Sequence, residues 1–202
     1  MRFLLKKIFR RLYSIKVRWE EKRNEWKLYF SAGWLWDCRI SGGNNRYSVA
    51  LKIEGSRGRI DLGNRNQYGY RHAPRVGDGS IFIQAREPDS SIQIGDDCAF
   101  SNNISIVARQ KIVIGQNFLC GEGVKIFDSD FHSLDPAKRF NDAGQSKPVL
   151  IGKNVWLGSN VIVLKGVEIG DNTVVGAGSI VTKSLPSNVV AVGMPARVIA
   201  QL

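Results

Sequence analysis

The sequence predicts an all-β chain, a solenoid of triangular cross-section led by a basic amphipathic helix. Three observations predict it. The first is a six-residue period: Ile151, Leu157, Val163, Ile169, Val175 and Val181 all hold a branched aliphatic residue. Six is neither the helical period of about 3.6 nor the strand period of 2, so it marks a repeat architecture. The second is Gly at 152, 158, 170 and 176, directly after four of those residues, within a total of 21 Gly. A corner every few residues calls repeatedly for backbone of positive φ. The third is the charge. Residues 1–30 hold ten Lys/Arg and three Glu, a net +7 of the chain's +11.

Residues 1–30 read as the helix. Leu4, Leu5, Ile8, Leu12, Ile15 and Trp19 recur at spacings of three and four, while Lys6, Lys7, Arg10 and Arg11 lie largely off that stripe. Two readings stay open. The helix covers an end of the solenoid and hides its open edge, or residues 1–19 lie in an anionic membrane surface, with Phe3, Phe9, Tyr13 and Trp19 as apolar contacts.

Residues 31–90 read as an irregular β region with degenerate first coils. Ile60-Asp61-Leu62-Gly63 has the form of a coil start and Ile81-Phe82-Ile83 alternates like a strand. Between them, Asn64, Asn66, Gly69, Pro74, Gly77, Asp78 and Gly79 predict a loop projecting from a corner. Residues 91–189 form the repeat domain. Ile94, Phe100 and Ile106 build one coil; Ile114, Cys120 and Ile126 build the next. The frame breaks at 132. Residues 132–148 are polar and turn-rich, and regular coils bracket them, so they loop out of the prism. The frame resumes at Val149 and runs to Pro186, and residues 190–202 are a short tail. In the later coils a second row, Val155, Val161, Val167, Thr173, Ser179 and Leu185, sits four positions after the first.

Several function classes are disfavoured. A chain whose charge is confined to one short segment does not resemble a nucleic-acid-binding surface. Cys38, Cys98 and Cys120 form no CxxC and no ligand spacing, and an odd, dispersed count suits a reducing cytoplasm. The chain has two His, where a zinc enzyme with a three-His site needs three, so no metal is expected. No stretch approaches the ~20 apolar residues of a transmembrane helix.

Four segments then carry a resemblance: Asp128-Ser-Asp-Phe-His132-Ser-Leu-Asp-Pro136, Asn154-Val-Trp-Leu-Gly-Ser159, Gly176-Ala-Gly-Ser-Ile-Val-Thr-Lys183 and Gly193-Met-Pro-Ala-Arg197. Over about 92–200 the chain resembles the bacterial transferase hexapeptide-repeat acyltransferases, most closely the maltose, galactoside and polysaccharide O-acetyltransferase branch. The resemblance implies a left-handed parallel β-helix, a homotrimer with active sites between subunits, and acetyl-CoA as cosubstrate. It implies a saccharide acceptor, while the cysteine usage suits the cytoplasm and the basic helix leaves open a peripheral contact at the inner face of the membrane.

The family's catalytic base falls on His132. Imidazole suits the work, since an alcohol is a poor nucleophile until a base near pH 7 takes its proton. Its place in the hexad frame is one that would otherwise take Ile or Val. Asp128, Asp130 or Asp135 could orient the ring. Ser159 and Ala177 map to positions that meet the pantetheine arm through backbone, and an N–H of the 158–159 turn is a candidate oxyanion donor. Thr182, Lys183 and Arg197 map to the nucleotide end, where cations meet phosphates. Trp156, outward in the hexad, reads as a wall beside the groove. For the acceptor only the neighbourhood of Asn102 and Asn103 matches, and Glu122 and His72 join them as further positions. One departure stands out: maltose-type enzymes begin with a short acidic helical segment, whereas this one is basic, which turns the expectation from free small sugars toward a glycan or lipid-linked glycan. An N-acetyltransferase acting on an amino-sugar nucleotide and a non-catalytic scaffold are the alternatives.

Overall fold

The computed structural model describes residues 2–34, 38–74 and 76–202, with side chains over 11–30, 32, 38–74 and 76–202. A helix over Arg2–Trp34 leads into a prism of short parallel strands. The helix runs past residue 30, and the side chains of Leu4, Leu5 and Ile8 lie outside the described ones.

Three parallel sheets form the faces of the prism. The first face stacks Arg39–Gly43, Arg59–Asn64, Ser91–Ile94, Lys111–Ile114, Val149–Ile151 and Glu168–Ile169. The second begins Arg46–Tyr47, Gln67–Tyr68, Ala99–Phe100, Leu119–Cys120, Trp156–Leu157 and Val174–Val175. The third stacks Leu51–Lys52, Ile81–Ala85, Ser105–Ala108, Lys125–Phe127, Ile162–Val163 and Ile180–Val181. One strand from each face makes one turn, and there are six such turns. Residues 39–85 are therefore two real turns, carrying a corner loop over 69–80.

The register explains the six-residue period. Leu157 pairs in line with Cys120 and Val175, and Val163 with Ile126 and Val181, so each inward side chain sits on the one below. Ile106, Ile126, Val163 and Val181 are fully buried, as are Val155, Val161, Val167 and Thr173 of the second row. Cys98 and Cys120 also point inward, and burial pushes the Cys98 thiol up to about 11. Under the early part of the second face Tyr47, Tyr68, Phe100 and Phe118 stack with ring centroids 5.4, 5.0 and 5.5 Å apart in succession.

The corners use the left-handed conformation that Asn and Asp tolerate best. Between the first and second faces, Asp97, Asn117, Asn154, Asn172 and Asn188 take φ of 54–59° or, at Asn188, 61°. Asn154 donates to Asn172 at 3.0 Å and Asn172 to Asn188 at 2.8 Å, so the last corners are laced together.

The helix covers the first end of the prism, and the chain's return extends one face at the other. At the first turn, Asn24 donates to the Tyr47 carbonyl at 3.0 Å and the Tyr29 hydroxyl to the Gly42 carbonyl at 3.1 Å. Leu28 and Ala32 are buried beneath that contact. At the other end residues 190–202 are not a loose tail: Val189–Gly193 continues the second face, and Ala196–Gln201 folds back antiparallel against it. Among the described residues no helix is long and apolar enough to cross a membrane.

Candidate active site

The looped-out segment leaves the prism at Asp128, four residues before the expected 132, and returns at Val149. Asp128 anchors the departure. Its buried carboxylate accepts the amides of Arg109, Gln110 and Lys111 at 2.7–2.8 Å. Burial holds its carboxyl above the usual carboxylate range, against the opposing pull of those donors and of Arg109.

Beyond Asp128 the two arms of the loop zip together. Asp130 N–H donates to Gln145 at 3.0 Å, Ser133 N–H to Asp142 at 2.9 Å, and Lys147 N–H to Asp128 at 2.8 Å. Lys165 holds Asp130 by a short ion pair, and Arg109 donates to the Ala143 carbonyl at 3.0 Å. Phe131, at φ 64°, packs edge-on against Phe127 and lies under the Arg86 guanidinium, 4.7 Å from the ring centroid. Gly144, at φ 71°, faces the His132 carbonyl so closely that a side chain there would collide with it.

His132 sits on this stem and is exposed. It does not occupy an inward position of the frame, because the chain has already left the prism. Its Nδ1 lies 3.0 Å from the Arg139 carbonyl. A carbonyl only accepts, so Nδ1 is the donor in this contact, and in the neutral tautomer that this selects Nε2 holds the lone pair. None of the three expected carboxylates orients the ring. Asp128 caps the corner, Asp130 pairs with Lys165, and Asp135 accepts the Ala137 amide at 3.0 Å with Lys138 at 3.7 Å. The loop tip beyond carries Leu134 and Phe140, the latter 95% exposed.

Ser159 and Ala177 stand one above the other on the corner between the second and third faces. A Cβ on Gly158 would lie 2.6 Å from the Ala177 nitrogen, so only Gly lets these corners stack. Gly158 donates its N–H to Val175 at 2.8 Å, which takes it out of contention as an oxyanion donor. Glu122 belongs to the same column one turn down, and its Oε2 is buried without a hydrogen-bond partner. Thr182 and Lys183 are exposed where the third face ends, and Arg197 is exposed on the final hairpin, its guanidinium turned to the Ala196 carbonyl at 3.0 Å. Trp156 projects from the second face, 49% exposed, in line with Leu119 and Val174. No hydrogen bond or ion pair among the described residues joins His132 to these positions. The His132 loop and the Ser159–Ala177 column rise from different corners of one chain.

The expected acceptor residues divide. Asn102 is fully buried; it accepts the Tyr70 amide at 2.9 Å and donates to the carbonyls of Tyr70, Ala73 and Pro74 at 3.0–3.3 Å. Asn103, with its amide turned to suit its neighbours, meets Val76 at 3.0 and 3.2 Å. Both fasten the 69–80 loop and leave little to offer a ligand. His72 is exposed on that loop, edge-on to Tyr70 at 5.7 Å. It borders a cleft of about 510 Å³ between the helix and the second face, with Tyr13, Arg18, Arg46 and Arg71. Sequence reasoning missed Arg109, Lys165 and Gly144, of which only Gly144 left a signal, as a Gly in a turn-rich loop. The Arg139 carbonyl left none, since any residue could supply it.

Residues 148–183 match the bacterial transferase hexapeptide (six repeats) family. The chain is 44% identical over 113 residues to galactoside O-acetyltransferase of Escherichia coli (strain K12), covering 56% of this chain and 55% of that one. It is 36% identical over 116 residues to WbbJ of the same strain, a protein named for lipopolysaccharide biosynthesis O-acetyl transfer, covering 54% and 59%. The chain thus spans little more than half the length of these relatives. A solved hexapeptide-repeat acetyltransferase of Vibrio cholerae superposes with a TM-score of 0.53 at 34% identity, covering 55% of this chain and 62% of that one. The architecture is the left-handed parallel β-helix.

Proposed function

We propose that this chain, whose residues 148–183 match the bacterial transferase hexapeptide family, is an acetyl-CoA-dependent O-acetyltransferase acting on a saccharide hydroxyl. The observation that carries the reading is the state of His132: an exposed imidazole on a zipped stem, Nδ1–H committed to a carbonyl, Nε2 free to accept. In direct transfer, Nε2 takes the proton of the acceptor hydroxyl as its oxygen bonds to the thioester carbonyl carbon. The C–S bond then breaks, and the imidazolium returns the proton to the leaving thiolate. The Ser159 amide is the remaining candidate in its turn for the developing oxyanion. Lys183 and Arg197, exposed and without a carboxylate partner among the described residues, suit the phosphates of CoA.

That His132 and the Ser159–Ala177 column stand on different corners supports a site composed between neighbouring copies of a homotrimer. Trp156 and Leu119 on the second face supply apolar surface for such contacts. The reading places the enzyme in the cytoplasm. Galactoside O-acetylation by one relative and the lipopolysaccharide designation of another support a saccharide acceptor.

The test is thiol release from acetyl-CoA over a panel of sugars, sugar nucleotides and lipid-linked oligosaccharides. Mild base removes an O-acetyl ester but not an amide, which separates the two acceptor chemistries. His132→Ala is expected to lower turnover by about 10²–10⁴-fold with the mass in solution unchanged. Activity within a few fold of the native chain would end the assignment.

A further inference from the structure

The N-terminal helix has two working faces. The inward face meets all three strands of the first turn and carries Asn24, Leu28 and Ala32. The opposite face carries Leu12, Ile15, Trp19, Trp26 and Phe30, at spacings of three, four, seven and four. That second stripe is most exposed at its two indoles: Trp19 is 72% and Trp26 71% exposed, and Trp26 stacks on Phe30 at 5.5 Å. So Leu12, Ile15 and Trp19, the described part of the stripe legible in the sequence, lie away from the face that covers the prism.

Charge on the helix is sorted to match. Lys16, Arg18, Lys22, Arg23 and Lys27 are exposed along the two margins of the stripe. The carboxylates face the other way. Glu20 pairs with Arg71 on the 69–80 loop at 2.9 Å and Glu21 with Arg46 on the prism at 3.4 Å, while half-buried Glu25 meets Lys22 at 3.9 Å. Trp19, Lys22, Arg23 and Trp26 together line a shallow cleft.

We infer that this face docks on an anionic lipid bilayer, with the helix flat in the headgroup region. Indole rings favour that depth, and long cationic side chains keep their heads at the phosphates while their stems cover the apolar margin. A second copy of the chain is a poorer occupant, because pairing two such faces would set cationic margins against each other. The helix lies across the end of the prism, so docking raises the solenoid axis away from the lipid and keeps the Tyr70–His72 cleft close to it. The inference rests on the proposed function only for the side of the membrane.

Co-sedimentation of the full chain with vesicles of phosphatidylcholine and phosphatidylglycerol tests it, against vesicles of phosphatidylcholine alone. Binding to the anionic vesicles that weakens with salt is expected. Trp19→Ser with Trp26→Ser should lower partitioning at least tenfold, and Lys22→Gln with Arg23→Gln roughly fivefold per cation. Both pairs point into solvent, so the far-ultraviolet helical signal and Tm should stay unchanged. Equal binding to both vesicle types, or native partitioning by the Trp pair, overturns the inference. A drop in solution mass in the Trp pair overturns it too, by assigning the stripe to a protein contact. Acetyl transfer to a soluble sugar, measured in parallel, reports on the enzymatic reading separately.

Discussion

Asp128 and Gly144 do more for His132 than any residue that touches its ring. Asp128 gathers three amides at the point where the chain leaves the prism. Asp128→Ala would leave those donors unpaired in a buried corner, which costs about 2–4 kcal/mol and is readable as a lower denaturant midpoint. Gly144→Ala acts differently. Its backbone is at φ 71° and faces the His132 carbonyl, so a methyl group must push the two arms of the stem apart. We expect kcat to fall about 10–100-fold, since misplacing a catalytic group by about 1 Å is that costly, with the fold intact by circular dichroism. Unchanged kcat would mean that the stem does not set the position of the imidazole.

At the scale of elements, each appendage is fixed by a few named contacts. The 69–80 loop is held by Asn102 and Asn103 at its base and by the Lys52–Asp78 pair, 2.9 Å, at its far end. The Lys52 ammonium and the Ser80 amide bring the Asp78 carboxyl down to about 2, from an ordinary value of 3.8. A depressed folded pKa contributes stability that is present above the unfolded value and is lost as pH falls through the folded one. Loop protection should therefore decline between about pH 4 and pH 2. The pair is solvent-exposed, so its contribution stays below about 1 kcal/mol. Amide exchange at Ser80 followed against pH measures it, and Asp78→Asn should remove the step. The final hairpin has a different duty. Deleting residues 194–202 exposes Val189–Gly193 as an unpaired edge, and light scattering should show concentration-dependent aggregation.

At the scale of the whole molecule, each turn touches mainly its neighbours, so stability is close to a sum over turns and their interfaces. Tyr68 sits in the middle of the buried aromatic stack and donates to the Leu62 carbonyl at 2.9 Å. Tyr68→Ala should cost about 3–5 kcal/mol, with early turns losing exchange protection before late ones. The later turns were legible from spacing alone, because Ile151 to Val181 repeat without interruption. The first two turns were faint because Tyr47 and Tyr68 replace aliphatic residues and a loop splits the second. His132 was legible as a chemical type but not as a place: the frame break located the loop, while the stem and its carbonyl partner depend on contacts between residues a dozen apart. The helix was legible as amphipathic, yet Leu12, Ile15 and Trp19 of its stripe lie on the outer side, and the polar Asn24 and Tyr29 help make the inner one. A helix closes the first edge, so head-to-tail stacking into filaments is blocked at that pole, while Ile180–Val181 ends the third face with an open edge.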